Sequence, residues 1–341
     1  DVMSKVRIGI LNVTGYAGVE LARLLAGHPA VELVSVTGRS AAGQPLRKIF
    51  PHLGSLGLII EEELAEVDFI FSALPHHESA EQLLPFIKQG IRVIDISAVF
   101  RLTDPSLYEE WYGFRHPAPE LLAEAAYGLP ELYRESIKPA KIIANPGCYP
   151  TASILALAPA LKASIIAGNI IIDAKSGLSG AGRSLNLRSH YCEADEDVTA
   201  YAIGSHRHQP EIAQELKTID AGIGAVVFTP HLVPMTRGIL VTCYGSLKER
   251  EPAEEITALY TECYRDQPFV RVVSEPPHTK HVTGSNMCFI HPTMDRSSGL
   301  LVVVSVIDNL IKGAAGQAIQ NMNLMLGLPE TTGLPLLAQY P

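Results

Sequence analysis

Val6-Arg7-Ile8-Gly9-Ile10-Leu11, running on through Asn12-Val13-Thr14-Gly15-Tyr16-Ala17-Gly18, is the stretch whose reading decides the fold. Val6, Ile8 and Ile10 alternate as in a half-buried strand, and Ala17, Leu21, Leu24 and Leu25 then recur at helical spacing. Gly27 ends that helix, and Val31 to Val36 reads as a second strand. Residues 6–36 therefore form a β-α-β unit, which calls for a parallel sheet and a right-handed crossover. Strands near Val67 to Ala73 and Arg92 to Ile96 continue the pattern as an α/β Rossmann-type domain.

The turn inside this unit has the spacing of a dinucleotide-binding loop, with Asn12 where the first glycine normally sits. Such a loop needs left-handed backbone and free N–H groups at a helix N-terminus, and Asn tolerates that conformation better than other non-glycine residues. Thr14, Gly15, Tyr16, Ala17 and Gly18 are the expected pyrophosphate contacts; an ordinary packing turn is the competing reading. After the second strand the chain reads Thr37-Gly38-Arg39-Ser40, with no carboxylate for a ribose 2′-hydroxyl. A guanidinium and a hydroxyl suit a 2′-phosphate, so Arg39 and Ser40 predict NADP rather than NAD, against the alternative of a solvated loop arginine.

Beyond residue 147 the texture changes to strand candidates at Ile170 to Asp173, Ala225 to Phe228, Ile239 to Tyr244 and Leu300 to Ile307, which predicts an α+β domain. A final amphipathic helix is expected from about Asp308 to Leu326, with Ile311, Ala315, Ala318, Met322 and Leu326 on one side, returning to the first domain. The expected division is 1–147 with 308–341 for nucleotide binding and 148–307 for the α+β domain.

Composition narrows the function. A chain of 341 residues with 47% apolar content has room for two cores, and a net charge of −9 without a Lys/Arg run argues against nucleic acid or anionic membrane. The longest apolar stretch, Ala152 to Ala167, holds Pro159 and Lys162 and is too short to span a bilayer, so it reads as a buried helix. Asp1 and Val2 before Met3 carry none of the regions of a signal peptide and read as a remnant ahead of the natural start. Five cysteines without paired spacing point to a reducing compartment rather than a disulfide framework.

Asn145-Pro146-Gly147-Cys148-Tyr149-Pro150-Thr151 lies between a short strand, Ile142 to Ala144, and the apolar helix, which puts Cys148 at a strand-to-helix turn. The positive end of a helix dipole favours thiolate there, as a nucleophilic cysteine requires. An inert small core residue is the ordinary role of a free cysteine, and it is the reading for Cys243, Cys263 and Cys288; Cys192 has no evident activating group. His206-Arg207-His208-Gln209-Pro210-Glu211 places two imidazoles on alternate positions ahead of a helix. Two histidines without a Cys or carboxylate cluster make a poor metal site, and none is expected. His208 is the expected general acid/base, with His206 contacting substrate or holding the loop. Ser176, Gly177 and Gly180, in a Gly/Ser-rich loop after a strand, are expected to fold over the nicotinamide end of the cofactor rather than form a flexible linker.

Together the nucleotide turn, the Asn-Pro-Gly-Cys-Tyr-Pro-Thr run and the His-Arg-His-x-Pro-Glu-Ile run resemble the N-acetyl-gamma-glutamyl-phosphate reductase family, with aspartate-semialdehyde dehydrogenases as wider relatives. The likeness extends to Tyr127-Gly128-Leu129-Pro130, Met235-Thr236-Arg237-Gly238 and Asp308-Asn309-Leu310-Ile311-Lys312-Gly313. It implies NADPH-dependent reduction of N-acetylglutamyl 5-phosphate to the 5-semialdehyde plus phosphate through a thioester on Cys148, in arginine biosynthesis, by a homodimer or homotetramer. It further implies a Rossmann domain, a catalytic and oligomerisation domain over 148–307, a cytoplasmic location, Asn309 near the nicotinamide and Arg101, Asn145 and His206 at the substrate. The sequence departs from the family run at Val99, where Asp is usual, and at Asn12. A reductase of carrier-bound aminoadipyl or glutamyl phosphate stands second, because an acidic carrier needs a basic docking surface. A nucleotide-independent cysteine hydrolase and a non-catalytic NADP sensor are the readings from other classes.

Overall fold

The computed structural model describes residues 5–341, so the terminal remnant read at Asp1 and Val2 lies outside the described residues. The chain divides into two compact units, one running to Gly147 and taking in Ala314–Leu334, the other Cys148–Gly313 with Pro335–Pro341.

The first unit holds β1 (Val6–Leu11), β2 (Val31–Thr37), β3 (Ile60–Glu61), β4 (Phe69–Ser72), β5 (Arg92–Asp95), β6 (Ala125–Tyr127) and β7 (Ile142–Ala144). They form one seven-stranded sheet in the order β3-β2-β1-β4-β5-β7-β6, parallel throughout. Ile8, Ile10, Ile70, Phe71, Val93 and Ile94 are fully or almost fully buried, as expected where helices cover both faces of a parallel sheet. Helix α1 (Tyr16–Ala26) leaves β1, and α2 (His76–Lys88) follows β4. Because β2 and β4 flank β1 on opposite sides, the strand order reverses there. The turn after β1 thus stands at the topological switch point, where open α/β sheets bind ligands.

The second unit begins with α3 (Cys148–Lys162) and holds β8 (Ile166–Ser176), β9 (Thr199–Ala200), β10 (Val226–Leu232), β11 (Ile239–Leu247), β12 (Val270–Val272), β13 (Cys288–Met294) and β14 (Leu300–Ile307). Its sheet runs β12-β13-β14-β11-β8-β10-β9 and is mixed, with β8–β10 and β12–β13 parallel and the other pairs antiparallel. Buried and half-exposed positions alternate along β10, β11 and β13. Helix α3, α4 (His208–Ile219) and α5 (Ala253–Cys263) pack on the sheet, while Ile171 and Val227 are exposed on β8 and β10.

Three expectations need correction. The apolar helix starts four residues earlier than read and ends at Lys162, because Ile166 and Ala167 already pair with β11. All of Tyr149 to Leu161 is buried. Pro159 removes the N–H that would bond the Leu155 carbonyl, and Tyr264 donates its hydroxyl there instead. The chain's last helix, α6 (Gly316–Met325), is buried on every side rather than amphipathic, and a π-helical turn, Ile311–Ala315, precedes it. Its polar residues bond within the same unit: the Gln317 and Asn321 amides both donate to the Gly128 carbonyl at 2.8 Å, and Asn323 faces His28 at 2.9 Å. The seam also differs from the expected one at residue 308. Asp308 and Asn309 bond to Gly284 and Gly238, and Pro335 accepts from the Asn286 N–H, which ties both segments to the second unit.

Candidate active site

The first constellation is made of main chain. Asn12 takes φ 65°, the left-handed conformation that the missing glycine would have supplied. Its side chain fixes the turn, the amide donating to the Ala73 carbonyl at 2.8 Å and the carbonyl accepting from the Thr14 hydroxyl at 3.1 Å. A Cβ on Gly18 would lie 2.4 Å from the Asn12 oxygen, so only glycine allows α1 to pack this closely on the strand. Gly15 is the N-cap of α1, no side chain caps the helix, and its first turn holds no acid. The N–H groups of a helix start are therefore left facing outward without a carboxylate, the arrangement that receives a pyrophosphate. The cradle fits a dinucleotide.

Arg39 and Ser40 are exposed in a short turn after β2. The Arg39 guanidinium lies 2.9 Å from Glu78, on the first turn of α2. No spacing rule in the sequence announced Glu78, which comes from the next crossover.

Beneath the strand ends of the same unit, Asp95 is wholly buried and accepts from the Ser79 and Ser97 hydroxyls, each at 2.6 Å. Burial raises its pKa against the pull of those hydroxyls and of Arg101. Arg101, also buried, donates from Nε to the Asn145 carbonyl and from Nη2 to the Ile96 carbonyl, both at 2.7 Å. Asn145 itself is buried, with its amide on the Ala314 carbonyl and its side-chain oxygen accepting from Asn321. These two residues thus brace the main chain three residues before Cys148. Val99 is packed in the core, so the departure from the usual Asp is filled by apolar contact.

The second constellation is made of side chains. Cys148 is the first residue of α3 and half-buried. Tyr149, beside it in sequence, packs edge-on against His206, His208 and Phe228 at ring separations of 5.7, 5.9 and 5.3 Å. His206 and His208 lie 4.8 Å apart, so the predicted pair does converge. Their surroundings differ. His206 Nδ1 accepts the His208 N–H at 3.0 Å, which leaves the neutral ring protonated on Nε2, facing the Tyr201 hydroxyl at 3.4 Å. Tyr201 continues to Tyr149 at 3.4 Å, and Tyr149 donates to the His231 carbonyl at 3.1 Å.

Burial, with the Arg207 charge second, pushes His206 down to about 4, so it is neutral at neutral pH. Burial likewise pushes Tyr201 up to about 12 and Tyr149 higher, and the Cys148 charge adds to both shifts. The sulfur is therefore within electrostatic reach of both phenols. Tyr149, Tyr201 and Phe228 were missed in the sequence. Tyr149 stood inside the cysteine run and could have been found there.

The loop after β8 is stitched down rather than flexible. Gly177, Leu178 and Ser179 donate to the carbonyls of Gly238, Met235 and Thr236, and a Cβ on Gly177 would fall 2.9 Å from Met235 and Thr236 main chain. A Cβ on Gly180 would meet the buried Ser176 hydroxyl at 2.8 Å. Asn309 joins this group, its oxygen accepting from Gly238 N–H at 2.8 Å and its amide donating to Ser179 at 2.9 Å.

Comparison with known proteins agrees with both units. Residues 7–140 match the semialdehyde dehydrogenase NAD-binding domain, and residues 148–309 the semialdehyde dehydrogenase dimerisation domain. The chain is 59% identical to the N-acetyl-gamma-glutamyl-phosphate reductase of Dehalococcoides mccartyi, over 99% of this chain and all of that one. It is 49% identical to the reductase of the same name from Desulforamulus reducens, over 98% and 100%. The fold resembles aspartate semialdehyde dehydrogenase II of Vibrio cholerae, with a TM-score of 0.72 at 17% identity, and the aspartate semialdehyde dehydrogenase of Candida albicans, with 0.69 at 17%; each covers 95% of this chain and 99% of that one. The chain belongs to the N-acetyl-gamma-glutamyl-phosphate reductases of the semialdehyde dehydrogenase family.

Proposed function

We propose that the chain reduces N-acetylglutamyl 5-phosphate to N-acetylglutamate 5-semialdehyde and phosphate, with NADPH as reductant and Cys148 as the covalent nucleophile, in arginine biosynthesis. The observation that carries the reading is Cys148 at the start of a buried helix, next in sequence to Tyr149, on whose ring the converged His206–His208 pair packs. The helix start favours its thiolate.

The thiolate attacks the acyl carbon, a C–S bond forms, and phosphate leaves with the electron pair of the broken C–O bond. The nicotinamide, when bound, supplies the hydride that takes the thioester to the hemithioacetal level. His208 gives a proton to the hemithioacetal oxygen as it forms and takes it back as the C=O bond re-forms, the C–S bond breaks and the Cys148 thiolate leaves with its electron pair. His206 is the poorer base, because its Nδ1 lone pair is committed to the His208 N–H and burial disfavours its charged form. It orients the pair, with Tyr201 and Tyr149 fixing its ring.

On the nucleotide, residues 14–18 receive the pyrophosphate and Arg39 with Ser40 the 2′-phosphate; Glu78 holds Arg39 until that dianion competes for it. Ser176, Gly177, Gly180 and Asn309 form the nicotinamide-side loop. Arg101 and Asn145 act on the substrate indirectly, by holding the turn that leads to Cys148. The dimerisation-domain match supports a homodimer or a tetramer built from it. No helix among the described residues is long and apolar enough to cross a membrane, and the five free cysteines suit the cytoplasm.

The test is nucleotide reduction followed by absorbance, with N-acetylglutamate 5-semialdehyde, phosphate and NADP as reactants. Turnover that requires phosphate and exceeds that with aspartate semialdehyde is expected. Activity confined to a carrier-linked semialdehyde would overturn the substrate assignment.

A further inference from the structure

The turn before the last helix is π-helical, and it meets the nucleophile. A π-turn inserts one residue into a helical ladder, costs regular hydrogen bonding and recurs at functional sites. Here the Gly313 N–H bonds the Asp308 carbonyl at 2.9 Å, the five-residue span that defines the turn. The inserted register brings Gly313 against Cys148: a Cβ at 313 would lie 2.8 Å from the Cys148 Cβ and 3.3 Å from its Cα. Gly313 is at an ordinary negative-φ geometry, so its lack of a side chain serves close approach alone.

The turn is anchored at its base. Asp308 is fully buried, its Oδ1 accepts the Leu310 and Ile311 N–H groups at 2.9 and 3.1 Å, and its Oδ2 accepts from Gly284 at 2.8 Å with Arg237 at 3.6 Å. The next residue, Asn309, clamps the Ser179 loop and Gly238.

We propose that Gly313, held by Asp308 through the π-turn, is a positioning residue for the nucleophile: its bare Cα lets the turn fit flush behind the Cys148 Cβ and so fixes the direction of the sulfur. The proposal rests on the reading of Cys148 as the nucleophile. A methyl group at 313 has no flexible side-chain end to push aside, only the Cys148 Cβ and main chain, so α3 must start from a shifted position. Misplacement of a reacting atom by about 1 Å costs on the order of a hundredfold in rate.

The experiment compares Gly313→Ala with Gly224→Ala in the full chain, each corrected to the fraction of Cys148 that iodoacetamide can alkylate. Gly224 is just as crowded, its added Cβ falling 2.4 Å from the Asn169 side chain, but it has no contact with the cysteine. Gly313→Ala is expected to lower kcat by roughly tenfold to a hundredfold, with the nucleotide KM within about twofold. Its alkylation rate should stay within about threefold, because a small reagent needs no fixed sulfur direction. Gly224→Ala is expected to lose thermal stability and keep kcat per alkylatable Cys148. An unchanged kcat in Gly313→Ala, or an equal kcat loss in Gly224→Ala, would overturn the positioning role. Should Gly313→Ala fail to fold, Asp308→Asn decides: it puts an amide donor against the Gly284 N–H and loosens the same turn, and a wild-type kcat there would contradict the proposal. If instead Cys148→Ser kept normal turnover, the nucleophile reading itself would fall, an outcome distinct from an indifferent Gly313.

Discussion

The nucleotide turn and the cysteine site solve opposite problems with opposite materials. At Asn12–Gly18 the useful groups are main-chain N–H donors. Side chains there serve to be absent, as at Gly18, or to bend the backbone, as at Asn12 with φ 65°. At Cys148 the useful groups are side chains, and Tyr149, Phe228 and the two imidazoles pack edge-on around one another beside it in the chain. The first constellation should therefore tolerate changes of chemistry but not of volume, whereas the second should fail on a single atom. Each substitution below breaks one side of that contrast.

The largest effect belongs to the sulfur. Cys148→Ser keeps the shape of the helix start but replaces a thiolate with a poorly ionised hydroxyl, so turnover should fall by several orders of magnitude while NADP affinity by fluorescence titration barely changes. A parallel loss of nucleotide affinity would erase the separation of the two constellations.

Gly18→Ala attacks the other side. The added methyl meets the Asn12 carbonyl and Val13 main chain, and overpacking against backbone costs roughly 1–3 kcal/mol or more. Melting temperature and nucleotide affinity should both drop, with iodoacetamide still alkylating Cys148 at the wild-type rate. Normal affinity would mean that the turn does not carry the pyrophosphate.

Arg39→Ala is subtler, because it touches chemistry without geometry. Losing one charged hydrogen bond should weaken NADP by about 1–3 kcal/mol and leave NAD nearly unaffected. Equal losses for both nucleotides would remove Arg39 from the 2′-phosphate.

The smallest effect is on acid stability. His206, pushed down to about 4, and His28 and His116, lowered mainly by burial, are neutral in the fold and charge more readily when unfolded. Their contribution is complete above the unfolded value near 6.5 and is lost as pH falls towards the folded one, so stability should decline between about pH 6.5 and 4. Asp95, raised by burial, runs the other way. His206→Asn keeps an acceptor for the His208 N–H and should flatten that decline in chemical-denaturation curves; an unaltered slope would show that His206 does not carry it.

How much of this was legible in the sequence follows from what periodicity can report. The β-α-β unit was readable because Val6, Ile8 and Ile10 are buried by the same alternation that identifies them. Strand β13 was not, since His291, Pro292 and Thr293 interrupt its apolar run. Pro292 is tolerated because β12 pairs only with Cys288 to Ile290 and leaves the outer edge beyond it without a ladder partner. The helix expected from 308 hid a π-turn, as a single inserted residue does not disturb the apolar spacing around it.

At the site, Cys148 and the histidines were visible as local runs. Tyr201 was not, because it returns to His206 through Ala202 and Gly204, both at positive φ, a chain reversal that no helical or strand period encodes. Glu78 was invisible for a similar reason: its partner Arg39 belongs to a different crossover.

The central claim is that the acyl group passes through the Cys148 sulfur, and withholding phosphate isolates that step. Enzyme incubated with NADP and N-acetylglutamate 5-semialdehyde, without phosphate, should form one equivalent of reduced nucleotide and one acyl group per active site. Peptide mass mapping should find that group on the fragment containing Cys148, labile to hydroxylamine and discharged on adding phosphate. Full turnover with phosphate but no acyl adduct in its absence, or an adduct on another residue, would contradict the account.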